Sequence, residues 1–362
     1  MLFKEEKDNL KFLIYAENHW SQYSSILRQR GNKYSLRLEN QIQSINWAES
    51  LAIELQCVIV VHLGDFFDAP SLNSEEITAL KEIKWADLPH MFLVGNHEIG
   101  TRNLEFNSIN SLAIINKFNI IDSIISIPFD DVEVVAIPYV FESDRPSIKT
   151  LFKTNKSKKI VFSHNDIKGI QMGKFISKEG FDINDIADSC SLFINGHLHN
   201  GEKIGNIINV GNLTGQNFGE DAFKYDHVAL VLDTDDMKVA VFENPYALNF
   251  YKLDFVDNNN IDYINQVSSA LKHNAVCTVR CRDSDVEYLK KRFGVVSDDI
   301  IPHCNKITAS RFVVVPDVKA ESNSDSIDTI SKVDHLQLFR DYVISNLGAD
   351  DVVMSELQEV CK

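Results

Sequence analysis

The chain has 362 residues, 44% of them hydrophobic and 24% charged, and its 52 acids against 36 Lys and Arg leave a formal net charge of −16. That balance excludes a stand-alone, tight, non-specific nucleic-acid binder, while a local basic patch would still permit a nucleic-acid substrate. No apolar run reaches the ~18 residues of a membrane span, and the N-terminal MLFKEEKDNLKF has no apolar signal core, so a cytoplasmic protein without membrane association is expected.

Short β-branched runs alternate with helical patterns over the first two-thirds of the chain. KFLIYA (11–16) reads as a buried strand. Residues 35–56 read as an amphipathic helix, with Leu38, Ile42, Ile45, Leu51 and Leu55 on one stripe. Strands follow at CVIVVHL (57–63) and HMFLV (90–94), with helices at 74–84 and near 107–117. Repeated strand–helix–strand units imply an α/β domain with a largely parallel sheet. From about residue 119 the strands crowd together: NIIDSIISI, VEVVAIP, KKIVFS, SLFIN, NIINVG, HVALVLD and KVAVFE. They suggest a second sheet packed on the first, giving a four-layer α/β/β/α sandwich over residues 1–250. NPYALNFYKLDF (244–255) reads as the exit.

A small β-α-β pattern then occupies the segment assigned as a second domain, 251–320. Residues 321–334 are polar and Ser-rich and look like a linker. Two helical segments end the chain within 335–362, the first with Leu336, Phe339, Tyr342, Val343 and Leu347 near one stripe. The six cysteines, at 57, 190, 277, 281, 304 and 361, form no CxxC and read as reduced thiols.

The chemistry-bearing residues sit just after predicted strands, where ligands bind in open α/β sheets. Glu17-Asn18-His19 follows the first strand and Gly64-Asp65-Phe66-Phe67-Asp68 the second. Gly95-Asn96-His97-Glu98, His164 and Gly196-His197-Leu198-His199 follow later ones. Five strand ends deliver carboxylate, amide and imidazole groups to one edge. Oxygen and imidazole donors without cysteine suit two divalent cations such as Mn, Mg, Fe or Zn. Two such ions need a bridging carboxylate, and Asp65 on its glycine turn is the natural one.

Together these motifs resemble the calcineurin-like metallophosphoesterases, whose pattern is DxH, GDxxD, GNHE, an isolated His and GHxH. The resemblance covers roughly residues 11–243. It implies that Glu17, His19 and His199 hold one metal, that Asn96, His164 and His197 hold the other, and that Asp65 bridges them. It also implies that His97 is no ligand and acts on the scissile phosphate and leaving oxygen. The family's first ligand is Asp, whereas this chain has Glu17, one methylene longer. A shifted backbone, an altered metal preference or a weakened first site could follow.

Within that superfamily, the segment Gly211-Asn212-Leu213-Thr214-Gly215-Gln216-Asn217-Phe218-Gly219-Glu220 resembles the GS…FGE segment of SbcD-type nucleases, with Asn212 in place of Ser. The β-α-β segment stands where those nucleases carry a DNA-capping domain. The terminal helices resemble the segment that docks on a coiled-coil ATPase. Length and loop sizes resemble the short bacteriophage members. A basic interval adds Arg145, Lys149, Lys153, Lys156, Lys158, Lys159, Lys168, Lys174 and Lys178 around His164, with Asp166 the only acid among them. Cations beside a phosphodiester site neutralise backbone phosphates. The resemblance therefore implies a Mn-dependent DNA exonuclease and endonuclease subunit, homodimeric, acting with an SbcC-like ATPase. Two rivals stand beside it: a phosphoesterase of small nucleotides or phosphoproteins, and a degenerate scaffold for the ATPase.

Overall fold

The computed structural model describes residues 10–317, apart from 25, 28, 29, 114, 116, 129, 130, 155–157, 173, 174 and 295–305. The chain opens with β1 (Lys11–Tyr15), α1 (Leu36–Glu54), β2 (Ile59–His62), α2 (Ser74–Ala79), β3 (His90–Leu93) and β4 (Phe118–Ile121). Next come β5 (Ile125–Pro128), β6 (Val132–Ile137) and β7 (Lys158–Ser163), then the two-residue strands β8 (Ile167–Lys168), β9 (Gln171–Met172), β10 (Phe175–Ile176) and β11 (Phe181–Asp182). After α3 (Ile183–Ser189) come β12 (Leu192–Asn195), β13 (Glu202–Ile204), β14 (Ile207–Asn209), β15 (Val228–Asp233) and β16 (Lys238–Glu243). The last group is β17 (Asn249–Asp254), α4 (Ile261–Ala270), β18 (Ala275–Arg282), α5 (Val286–Phe293) and β19 (Ile307–Val315).

Two six-stranded sheets result, ordered β16-β15-β1-β2-β3-β4 and β13-β14-β12-β7-β6-β5. Each has four adjacent parallel strands with antiparallel pairing beyond them. The period-two alternation of each strand splits its side chains between two cores. Phe12, Ile14, Val61 and Leu63 face Val134, Ala136, Phe162 and Ile194 in the layer between the sheets. Leu13, Tyr15, Val60 and Phe92 face Leu38, Ile45, Ala48 and Ala52 of α1. Val135, Val161 and Phe193 pack on Ile186 of α3 at the far side. The four-layer sandwich follows. Its first helix begins where the Ser35 side chain accepts from the Leu38 N–H at 3.2 Å, a satisfied N-cap.

Several sequence expectations need correction. NIIDSIISI is two strands, because the chain bends at Asp122–Ile124 and crosses from the edge of the first sheet to the edge of the second. HVALVLD and KVAVFE return to the first sheet: β15 pairs antiparallel with β1, from Lys11↔Asp233 to Ile14↔Leu230. Strand spacing along a sequence cannot say which of two stacked sheets a strand joins. The helix expected near 107–117 is one 3-10 segment, Ser108–Leu112, and the one at 74–84 ends as the 3-10 turn Leu80–Glu82. The expected exit contains β17, which pairs in parallel with β18 in a third sheet, β17-β18-β19. Phe255, Ile264, Val279, Leu289 and Phe293 form the core of that sheet and its two helices. Among the described residues no helix is long and apolar enough to cross a membrane. Residues 318–362, with the linker and the stripe Leu336, Phe339, Tyr342, Val343 and Leu347, lie outside the described residues.

Candidate metal centre

The parallel strands of each sheet end on a shared edge, and their loops continue the ladder beyond them. Glu17 N–H donates to Gly64 O at 3.3 Å, His19 N–H to Asp65 O at 2.9 Å, and Gly196 N–H to Ser163 O at 2.9 Å. Glu17 (φ 55°), His19 (45°), Asp65 (48°) and His197 (72°) all sit in the left-handed region, four of the seven such non-glycine residues described. That conformation costs roughly 1–3 kcal/mol each and persists only where neighbours over-determine it. α1 supplies part of the restraint. Gln41 donates to the carbonyls of Asn18 and His19, Arg37 donates to that of His19, and Gln216 donates to that of Glu17. Close approach also needs Gly95, where a Cβ would meet Asp65 Oδ1 at 2.2 Å.

Two groups of donor atoms converge on this edge. In the first, His19 Nε2 is 3.1 Å from Glu17 Oε2 and 3.8 Å from Asp65 Oδ2, and His199 Nε2 is 3.6 Å from Glu17 Oε2. In the second, His164 Nε2 is 3.1 Å from Asn96 Oδ1 and 3.3 Å from Asp65 Oδ2. His197 Nδ1 is 3.0 Å from Asn96 Oδ1 and 3.3 Å from His164 Nε2. Asp65 Oδ2 faces both groups. The structure thus brings together all seven residues that the family resemblance implicates.

The remaining ring nitrogens show how the histidines are held. His19 Nδ1 lies 3.0 Å from Asp68 Oδ1, His199 Nδ1 2.9 Å from Glu220 Oε1, and His164 Nδ1 2.6 Å from Leu63 O. His197 Nε2 lies 3.2 Å from Asp166 Oδ1. Each oxygen there can only accept, so each of those nitrogens carries a proton and the opposite nitrogen turns a lone pair inward. Such outer partners fix the tautomer and orientation of metal-binding histidines. Asp68, Asp166 and Glu220 have a role that the sequence reading did not assign. Asp68 and Glu220 stood in quoted motifs, and each is an acid at fixed spacing from a strand-end histidine or loop. Glu98 is another: its buried carboxylate accepts from the N–H groups of Gly95 (2.6 Å), Phe67 (2.9 Å) and Asp65 (3.2 Å) and ties two of the loops.

Lone pairs facing one another at 3.0–3.6 Å require positive charge between them. Without a cation, protons supply it. Burial opposes charge on His19, but hydrogen bonds to Asp68 and Glu17 and the Asp65 charge push it up to about 10. Burial likewise opposes charge on His164, and Asp65 and Glu17 raise it to about 9. Burial works against ionised Asp65 and Glu17 as well, yet the histidines hold both below their usual values. Glu98 moves the other way, to about 8, through burial and the Asp65 charge. Divalent ions would displace those protons, so the donor set fits two cations of oxygen and nitrogen preference. When bound, they would supply Lewis-acid neutralisation of a phosphoryl group and activation of water.

The longer Glu17 is accommodated by a split carboxylate. Oε2 joins the first group, while Oε1 accepts from the His197 backbone N–H at 2.5 Å and lies 3.3 Å from His164 Nδ1. One side chain therefore links both groups. His97 stands beside them. Its N–H donates to Asp65 Oδ1 at 3.0 Å, its Nδ1 donates to Asp68 O at 3.1 Å, and its side chain is 42% exposed. The ring packs edge-on against His19, with centroids 4.5 Å apart, and Nε2 remains for a ligand.

Among the described residues the basic interval is not gathered around His164. Lys158 and Lys159 begin β7, whose opposite end carries His164. Lys158 Nζ is taken up by Asp131 and the carbonyls of Thr234 and Asp235, and Lys159 Nζ lies over the Phe152 ring. Lys149 pairs with Asp185 at 2.8 Å and Lys168 with Asp182 at 3.8 Å. The Lys153 N–H donates to buried Glu133, and Lys178 is exposed. Lys156 and Lys174 lie outside the described residues. Arg145 is next to the centre: its guanidinium packs over Phe181, and its charge acts on Asp166, the partner of His197. The run of like charges is dispersed because the strand separates its two ends and nearby acids pair Lys149, Lys158 and Lys168.

Chemistry of this kind belongs to metal-dependent phosphoester hydrolases. Residues 11–264 match the family described as calcineurin-like phosphoesterase, and the chain belongs to it. Its sandwich is the fold of that family. No curated protein matches the chain. Similar solved structures include an archaeal phosphodiesterase, 17% identical, covering 65% of this chain and 99% of that one, with a TM-score of 0.36. A dimetal phosphatase from Danio rerio is 12% identical, covers 62% and 93%, and gives 0.37. NAD nucleotidase of Haemophilus influenzae is 13% identical, covers 65% and 49%, and gives 0.34.

Proposed function

We propose that the chain is a two-metal DNA nuclease subunit, using manganese and partnered by an SbcC-like coiled-coil ATPase. The observation that carries the hydrolytic part is the single Asp65 oxygen facing both donor groups. That arrangement suits two adjacent cations clamping one phosphodiester. Glu17, His19 and His199 would hold one ion, Asn96, His164 and His197 the other, and Asp65 both. Asp68, Leu63, Asp166 and Glu220 keep the ring protons turned away from the ions. His97, exposed and anchored at Nδ1, would present Nε2 to the leaving oxygen, and as an imidazolium with a proton on each nitrogen it would act there as acid or hydrogen-bond donor. The preference for DNA rests on the segment ending in Phe218-Gly219-Glu220 and on the β-α-β unit that follows the sandwich. The ATPase partnership rests on the sequence of residues 335–362.

The test is Mn-dependent cleavage of single-stranded and duplex DNA ends, with and without a candidate ATPase, beside hydrolysis of mononucleotides. Faster turnover of DNA supports the proposal. Inert DNA with rapid turnover of a nucleotide would establish the small-substrate rival instead. Removing residues 335–362 should leave cleavage intact and abolish co-purification of the ATPase; unchanged co-purification rules the docking role out.

A further inference from the structure

A second group of metal-binding side chains lies away from the strand-end edge, inside the layer between α1 and the first sheet. Glu49 projects from α1, His62 ends β2 and His90 begins β3, and all three are buried. One donor atom from each lies within 4.8 Å of the others. His90 Nδ1 lies 3.0 Å from Leu88 O, which can only accept, so Nδ1 carries the proton. A proton then lies between its Nε2 and Glu49 Oε2, which are 2.9 Å apart. This is the arrangement of His19, His164 and His199 in the catalytic centre: one nitrogen tied to an oxygen, the other facing a carboxylate. The other Glu49 oxygen accepts from the Tyr15 hydroxyl at 2.9 Å, which fixes the carboxylate.

His62 is the second, independent observation. Its side chain is buried, and among the described residues neither ring nitrogen has a hydrogen-bond partner. Two unsatisfied polar atoms on one buried ring are a substantial desolvation cost. Burial and the nearby His90 charge also hold His62 well below its ordinary value, so the ring is neutral and able to ligate. Stacking on Phe92, with centroids 3.8 Å apart and planes 4° apart, fixes its orientation.

We propose that Glu49, His62 and His90 form a third cation site, away from the strand-end edge, that takes Zn²⁺ on these three donors. Two imidazoles and one carboxylate are a zinc donor set. The ion would satisfy His62, replace a proton between His90 and Glu49, and tie α1 to β2 and β3.

The test uses the full chain refolded with zinc, desalted, and measured for zinc per chain. His62→Phe keeps the aromatic packing, and Glu49→Gln keeps an acceptor for Tyr15. Each should hold one zinc fewer than the unchanged chain and still hydrolyse a phosphodiester once supplied with Mn. Equal zinc content in the chain and both variants overturns the site. Should neither variant fold, the unchanged chain decides: after dialysis against EDTA without denaturant, one zinc should remain in the buried site, and complete loss overturns it. Failure here leaves the hydrolase reading intact, because Mn-dependent activity is read separately.

Discussion

Shortening Glu17 to Asp moves its carboxylate toward the residue usual in the family, yet the geometry predicts a weaker centre. The Glu17 carboxylate performs two tasks: Oε1 accepts from the His197 N–H at 2.5 Å, and Oε2 lies 3.1 Å from His19 Nε2. Removing a methylene retracts both oxygens by about 1.5 Å, the length of one carbon–carbon bond. The backbone cannot easily follow, because the Glu17 N–H is bonded to Gly64 O and its carbonyl to Gln216. One of the two tasks is lost. A charge-assisted hydrogen bond in a buried site is worth about 1.5–3 kcal/mol, which corresponds to roughly 10- to 150-fold. Glu17→Asp should therefore raise the Mn concentration needed for half-maximal hydrolysis of bis(p-nitrophenyl) phosphate by about 10- to 150-fold. The assay is a Mn titration of initial rates beside metal content per chain. Equal or tighter Mn dependence in Glu17→Asp would refute the two-task role of Glu17.

Three further outcomes follow from the same geometry. His97→Ala should abolish phosphodiester cleavage while Mn binding, measured by calorimetry, stays within a few-fold; loss of both ions would place His97 among the ligands. Glu220→Ala removes the acceptor for His199 Nδ1 and should weaken Mn binding by about 10- to 100-fold, with circular dichroism confirming the fold. His227 is buried, and its value is lowered chiefly by that burial. The unfolded chain gains a proton there near pH 6.5 while the folded chain does not, so this residue costs stability as pH falls below about 6.5, by up to about 1.4 kcal/mol per pH unit. His227→Asn, which keeps a donor toward Asn212, should make the urea midpoint less sensitive between pH 7 and 5.5; identical pH slopes would contradict the assignment.

The strand ends were legible because the chemistry is local there: each motif is a few residues following an apolar run, as with Leu63-Gly64-Asp65 after β2. The assignment of strands to sheets was not. β15 reads like any buried strand, and only its pairing with β1 across more than 200 residues puts it in the first sheet. The outer partners of the histidines were hidden for a similar reason. Asp166 stood out in sequence as a lone acid among lysines, and its place at His197 Nε2 depends on two loops meeting. How the basic run would be distributed was not legible, because charge spacing along β7 says nothing about which end of the strand a lysine occupies. His62 and His90 looked like ordinary strand residues, and no sequence signal joins them to Glu49 on a helix.

The claim that organises the site is that one Asp65 oxygen serves two cations, and electron paramagnetic resonance of the Mn-loaded chain reads it directly. The account predicts the spectrum of a magnetically coupled Mn pair in the unchanged chain, collapsing to uncoupled Mn²⁺ in Asp65→Asn together with loss of phosphodiester hydrolysis. A spectrum of isolated Mn²⁺ in a fully loaded, active chain would contradict it.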